Sequence, residues 1–412
     1  MSGAADREQF RRLLTFSAKI ATLCSKKWHI KLMFKAPGAP AALRQNPLRL
    51  FKAAVTVSLL LAGCASEPPT ADGPRMSPEE AQTLITRLMP KYVTDRDGWT
   101  ADIYAGFATQ TLAPTRESIC AVIAVTEQES GFRVNPVVPG LADIAWREID
   151  RRASASGVPL LLVHGALRLP SLSGPSFGTR IDEVKTEKDL SDIFEDMITS
   201  VPMGQRLFAD RNPIRTRGPM QVNVAFAKEF AARHTYPYPI AKTLPDDLFS
   251  RRGSVYFGIA HLFGYTPHYP DLRYRFADYN AGQFASRNAA FQNALQRASG
   301  VPLVCDGALL PHDDKAPGAG STERAARLVG PRLRLSESDI HDALEQAPTQ
   351  EFETTSLYRG IFELAERGGQ RSLPRAMVPR ITLHGAKLHR TTLTTEWYAN
   401  RVDSRFKQCL SR

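Results

Sequence analysis

Cysteine is scarce, with five in 412 residues, at positions 24, 64, 120, 305 and 409. No pair stands as Cys-x-x-Cys, and the nine histidines do not gather around them, so nothing signals a metal centre. No motif asks for a cofactor. The apolar run Ala53–Ala62 is too short to span a bilayer as a helix. No internal repeat is present. Positive charge is also scarcer than the net +11 suggests. Residues 1–63 hold eleven Lys and Arg against two acids, so nine of the eleven net charges belong there and two are left for the rest. That distribution excludes a nucleic-acid surface on the main body. Hydrophobic residues at 43% and charged residues at 23% are values of a globular chain with ample core.

The basic leader has an internal order. Arg44, Arg49 and Lys52 precede the apolar run, and Leu61-Ala62-Gly63-Cys64 follows. This resembles a bacterial lipobox. The resemblance implies removal of a signal peptide over 33–63, acylation of Cys64 and a membrane anchor. Residues 1–32 do not fit signal-peptide grammar, and translation is expected to start at Met33, with 1–32 an over-extended frame. Residues 64–76, rich in Ser, Pro and Gly, read as a tether. Ala65 rather than Asp after the cysteine resembles known sorting signals that imply the outer membrane of a Gram-negative cell, facing the periplasm.

Beyond the tether the pattern is mainly α. Ser77-Pro78-Glu79-Glu80 reads as a capping box opening a helix with Leu84, Ile85, Leu88 and Met89 on one face. A second helix is expected over about Trp99–Leu112. A third carries Ile119, Val122, Ile123 and Thr126 at helical spacing, which buries one face, and stops at Gly131. Leu141–Ala155 reads as a helix, Val158–His164 as a strand or buried loop, Leu169–Thr179 as loop, and Asp189–Thr199 as an acidic amphipathic helix. Asn223 caps a helix to His234, Arg252–Phe263 forms another, and Phe276–Gly282 precedes a helix to Gln296. Tyr265, His268, Tyr269 and Tyr274 form a polar-aromatic loop of the kind that lines carbohydrate grooves. Pro311–Ser321 reads as a linker, then helices over Ser336–Ala347, Ser356–Arg367 and Thr395–Gln408, with Pro374–His389 extended.

Three short segments stand in order: Gln128-Glu129-Ser130, then Arg217-Gly218-Pro219-Met220-Gln221, then Ala277-Asp278-Tyr279-Asn280-Ala281-Gly282. Together they resemble the lytic transglycosylases and goose-type lysozymes over roughly residues 115–300. That family carries Glu-Ser at a helix end, Gly-Leu-Met-Gln, and Ala-Tyr-Asn-Ala-Gly. Pro219 replaces the Leu and Asp278 the first Ala, and the first gap is far longer than in typical members. The resemblance implies a lysozyme-like (α+β) domain over 77–300 with a long insertion at 136–212, and leaves 301–412 as a C-terminal extension without a role.

Glu129 sits in a last helical turn, where exposed carbonyls and apolar neighbours disfavour a carboxylate and raise its pKa, as a general acid needs. The resemblance makes Glu129 the lone acid/base and Ser130, Met220, Gln221, Tyr279 and Asn280 substrate-binding residues. Gln221 and Asn280 would hold N-acetyl groups, and Tyr279 would orient Glu129. The implied substrate is the peptidoglycan glycan strand, cut between N-acetylmuramic acid and N-acetylglucosamine with 1,6-anhydro ends. Hydrolysis would need a second acid, for which Asp143, Glu148 and Asp150 are the candidates. The competing expectation is a wall-binding or scaffold lipoprotein without activity, with cell-wall proteins as partners. Of the cysteines left after the leader and the lipid, Cys305 with Cys409 is the favoured pair, and Cys120 reads as a small buried hydrophobe.

Overall fold

The structure, a computed structural model, describes residues 76–169, 174–311, 320–367, 372–383 and 393–412. The start, the signal peptide, Cys64 and the tether up to Arg75 lie outside the described residues. Residues 76–412 form one compact unit. Among the described residues no helix is long and apolar enough to cross a membrane.

The unit is mainly helical. It opens with α1 (Pro78–Leu88), α2 (Arg96–Thr109) and α3 (Arg116–Glu129). Ser77 makes the expected capping box with Glu80, and the Thr115 hydroxyl accepts from Ser118 N at the start of α3. The insertion holds α4 (Leu141–Ala155), α5 (Leu160–Leu167), α6 (Phe177–Glu183), α7 (Glu187–Thr199) and α8 (Gly204–Phe208). A small hairpin, β1 (Thr216–Arg217) with β2 (Val222–Asn223), pairs antiparallel with Arg217 opposite Val222. Then come α9 (Val224–Arg233), α10 (Leu244–Asp247), α11 (Arg251–Phe263), α12 (Leu272–Ala281), α13 (Ala285–Ser299), α14 (Ser321–Leu333), α15 (Glu337–Glu345), α16 (Ser356–Glu366) and α17 (Thr395–Leu410).

Among the described residues three apolar cores result. The main one joins α1, α2, α3, the hairpin, α11, α12 and α17. A second lies among α13–α16, and a small third lies within the insertion, between α4, α6 and α7. Helix α3 is not half-buried as its spacing suggests. Every residue from Ile119 to Val125 is 0% exposed, because α1, α11 and α17 pack around it. The described residues of 301–412 divide between two of these cores. Helices α14–α16 build the second core on α13, whereas α17 returns to the main core through Tyr398, Ala399, Val402 and Cys409.

The cysteine pairing differs from expectation. Cys120 on α3 is bonded to Cys409 on α17, and Cys305 is a free, buried thiol. The stretch Val158–His164 is neither strand nor buried loop. It forms the start of α5, whose Leu160, Leu161 and Leu162 stay exposed.

Candidate functional site

The site is built from the end of α3. Glu129 is the last residue of that helix, and Gly131 (φ 59°) and Phe132 (φ 62°) then turn the chain sharply. The Phe132 ring, almost fully buried, meets Trp99 edge to face at 5.0 Å and anchors this turn. The Ser130 hydroxyl does not face outward. It donates to Thr126 O at 3.2 Å and closes the helix.

Two buried tyrosines surround Glu129. The Tyr398 hydroxyl, from the first turn of α17, donates to Glu129 Oε1. Burial, with the Glu129 charge added, pushes the Tyr398 hydroxyl well above the usual tyrosine range. The same two causes act on Tyr279 of α12. Both phenols therefore stay protonated and act as donors. Tyr279 donates to Met220 O at 2.8 Å, which ties α12 to the hairpin turn. Under Tyr279 lies His261, its ring 4.7 Å away. Burial lowers the His261 pKa to about 4, so this ring is neutral at pH 7.

The turn of the hairpin is the second motif. Gln221 N donates to Gly218 O at 2.9 Å, with Pro219 at the second position of a tight turn, where its fixed φ fits. Gly218 sits at φ 73°, and a Cβ there would lie 2.0 Å from Leu248 O. Met220 is fully buried, with its N–H on Ser254 Oγ at 3.0 Å. Its Sδ occupies the space a Cβ on Gly258 would need. Gln221 has φ 51°, and its amide is held inside the protein: Thr216 Oγ1 donates to Oε1 at 2.8 Å, and Nε2 donates to Glu187 Oε2 at 3.0 Å and to Gly218 O at 3.2 Å.

Asn280 is exposed and accepts from Thr395 Oγ1 at 2.9 Å. Thr395 and Tyr398 are three residues apart on α17, hence on one face, so a single helical turn touches both Asn280 and Glu129. Glu129, Met220, Tyr279 and Asn280 are thus brought together, whereas the Gln221 side chain turns toward the insertion.

The three acids proposed from the sequence are engaged elsewhere. The Glu148 carboxylate is held at about 2 by hydrogen bonds to Arg151, then Arg152. Asp150 binds His164 at 2.6 Å, and Asp143 is exposed on α4. The acid that reaches a motif is Glu187, at the start of α7. Neither Glu187 nor Tyr398 is marked by any local pattern.

Asp278 is structural. It is 0% exposed and accepts from Tyr265 OH at 2.8 Å, from Tyr269 OH, and from Ser286 N at 2.6 Å in the first turn of α13. Burial raises its pKa against the pull of those donors. Tyr265 and Tyr269 are therefore buried clamps, not groove residues. His268 is paired with Glu353.

Two clefts among the described residues bear on where the site lies. One of about 680 Å³ lies between α1 and α2, lined by Thr86, Arg96 and Thr100 among others; none of the motif residues line it, so its size alone does not make it the site. The other, of about 350 Å³, takes in Phe132, Arg133 and Asn135, and so begins three residues beyond Glu129.

Against known proteins, residues 92–412 match a family model described as "Protein of unknown function (DUF1615)". The chain is 46% identical over 371 residues to "Uncharacterized protein YaiW" of Escherichia coli, covering 90% of this chain and 100% of that one. No solved structure matches. With the family match spanning most of the chain and a relative aligned along its whole length, the protein belongs to the DUF1615 family.

Proposed function

We propose that this protein is a lytic transglycosylase with a lysozyme-like domain, tethered to the outer membrane through an acylated Cys64, that cuts peptidoglycan glycan between N-acetylmuramic acid and N-acetylglucosamine. The observation that carries the reading is the convergence on Glu129. Tyr398 donates to its carboxyl, and Tyr279 lies close enough for that carboxyl to act on it while gripping the Met220 turn. Three segments that resemble one enzyme family in sequence also meet in space.

In this reading Glu129 gives its proton to the glycosidic oxygen as the bond to C1 breaks and the muramic sugar gains oxocarbenium character. The 6-hydroxyl of the same sugar attacks C1, and Glu129 takes up the hydroxyl proton. The acid is regenerated, no water is consumed, and the product carries a 1,6-anhydro ring. Intramolecular attack has a high effective concentration, so one carboxyl suffices. Tyr398 orients that carboxyl through both proton transfers. Asn280, exposed beside it, is placed to meet an acetamido group.

The engagement of the Ser130 hydroxyl and the Gln221 amide within the protein favours a second reading, a wall-binding scaffold without activity. Digestion of purified sacculi followed by mass spectrometry separates the two. The wild type is expected to release anhydromuropeptides, and Glu129→Gln none. Tyr398→Phe should lose roughly tenfold to a hundredfold in rate, the worth of a hydrogen bond to a charged group. Reducing ends without anhydro products would make the protein a hydrolase. Binding to sacculi with no cleavage would make it a scaffold.

A further inference from the structure

Helix α5 of the insertion is held at one end and bare at the other. None of its eight residues is buried, and Leu160, Leu161 and Leu162 of its first turn are 40%, 84% and 48% exposed. The far end is gripped. The His164 ring stacks on Trp146 of α4 at 4.7 Å and meets Asp150 at 2.6 Å. Leu167 packs on the small core of the insertion, and Arg168, just past the helix, pairs with Asp182 of α6 at 2.8 Å. The entry is fixed as well: Val158 N donates to Ala153 O at 2.9 Å, and Pro159 at the cap has a locked φ. The three leucines therefore stand on a rigid support and are not a frayed end.

A run of adjacent leucines open to water is costly, and such patches mark contacts. Its size and charge and the length of the tether decide what it touches. A stable protein interface takes roughly 800 Å² from each partner, more than three leucine side chains offer. The stretch Val158–Leu169 holds no acid and one arginine, Arg168, so nothing within it repels an anionic headgroup layer. Met76, where the described body begins, stands twelve residues on from Cys64. Fully extended, that length of chain reaches only about 40 Å. A compact body of about 340 residues is roughly 50 Å across, so a lipid on Cys64 keeps it beside the bilayer at all times. At that effective concentration a contact too weak to recruit a free protein is populated.

We infer that the first turn of α5 is a second membrane contact, whose leucines dip into the leaflet that carries the lipid anchor. The inference rests on the anchor in the proposed function and is independent of glycan cleavage. Leucine side chains in the acyl boundary and Arg168 at headgroup level are the arrangement of an interfacial helix. The acyl chain holds the protein on the membrane, and α5 holds the body against it.

The test uses the mature acylated protein reconstituted into vesicles of phosphatidylethanolamine and phosphatidylglycerol. A fluorophore is attached through Leu161→Cys or, as control, through Glu229→Cys on α9, where the side chain is also exposed. Cys120 and Cys409 are bonded and Cys305 is buried, so the introduced thiol takes the label. Quenchers on the lipid acyl chains should act on the label at 161 about fivefold more than at 229. Adding Leu160→Ser and Leu162→Ser should bring 161 down to the control, with the thermal midpoint unchanged because these side chains are exposed. A label at 161 that lipid quenchers miss and aqueous iodide reaches overturns the inference. So does shielding at 161 that grows with protein concentration in the absence of lipid, which would make the patch a contact between copies. Mass spectrometry of the same sample separates the two readings. An acylated Cys64 with an unquenched label overturns only the α5 contact, whereas an unacylated Cys64 overturns the anchor and the contact with it.

Discussion

Replacing Cys409 with serine cuts the covalent link between α3 and α17. The two cysteines are 289 residues apart in sequence, and closing a loop of that length removes about 6 kcal/mol of chain entropy from the unfolded state in the simple polymer account. Losing a native disulfide usually costs less, about 2–5 kcal/mol, because the unfolded chain is not a free coil. Against a typical stability of roughly 5–15 kcal/mol, that is a large share. The loss falls on the site as well, since the helix that carries Cys409 also presents Tyr398 to Glu129. Urea melts of the wild type with and without reductant, and of Cys409→Ser and Cys120→Ser, should show midpoints that drop together and, on the proposed function, an anhydro-product rate that falls alongside. Tyr398→Phe is the control: it should lose rate without a comparable loss of midpoint. Peptide mapping under non-reducing conditions should join the Cys120 and Cys409 peptides and leave Cys305 alkylated only after unfolding. A midpoint unmoved by reductant, or a Cys305–Cys409 peptide, would refute the reasoning.

Gly218→Ala forces a Cβ into Leu248 O and Ser254 at a backbone angle that alanine adopts at a cost. It should lose about 2–4 kcal/mol in a denaturant melt and displace Met220 and Gln221, so activity falls with it. Stability should also fall in mild acid because of His261. Its pKa is about 4 in the folded protein against the ordinary 6.5 of an exposed histidine, so its neutral form stabilises the fold fully above pH 6.5, and that stability is lost as pH falls toward 4. The amount is about 3 kcal/mol. His261→Phe should flatten that part of the stability-against-pH curve, and equal slopes in the two proteins would reject the assignment.

What the sequence shows and what it hides divide along the range of the interactions. The Ser77 capping box, the span of α4 and the Asn223 cap are local, and each is readable from a few neighbouring residues. The tight turn at Gly218-Pro219 is readable for the same reason. Helix α14 escapes such a reading because Gly330 and Pro331 look like breakers, yet Pro331 falls two residues before its last residue, so the single N–H···O bond it removes is confined to the final turn. The run at Leu160 misleads because a short apolar stretch has no period that separates strand from helix. The disulfide is hidden because three thiols allow three pairings and a fully buried helix makes a cysteine look like any small core residue. Tyr398 lies 269 positions from Glu129, and no nearby pattern could announce that they meet. Asp278, a departure from the family motif, is explained only by the two tyrosines and the helix start that it holds.

The wrapping of α3 has a consequence for how the protein is made. Seven successive greasy residues, Ile119–Val125, emerge early, and one wall of their enclosure is encoded some 270 residues later. At ordinary ribosomal speeds that is an interval of roughly 15–50 s. For that whole interval the nascent chain carries a sticky rod with no cover. Until the late helix arrives that surface has to be shielded by other means, and the thiol on the rod has to wait for its partner.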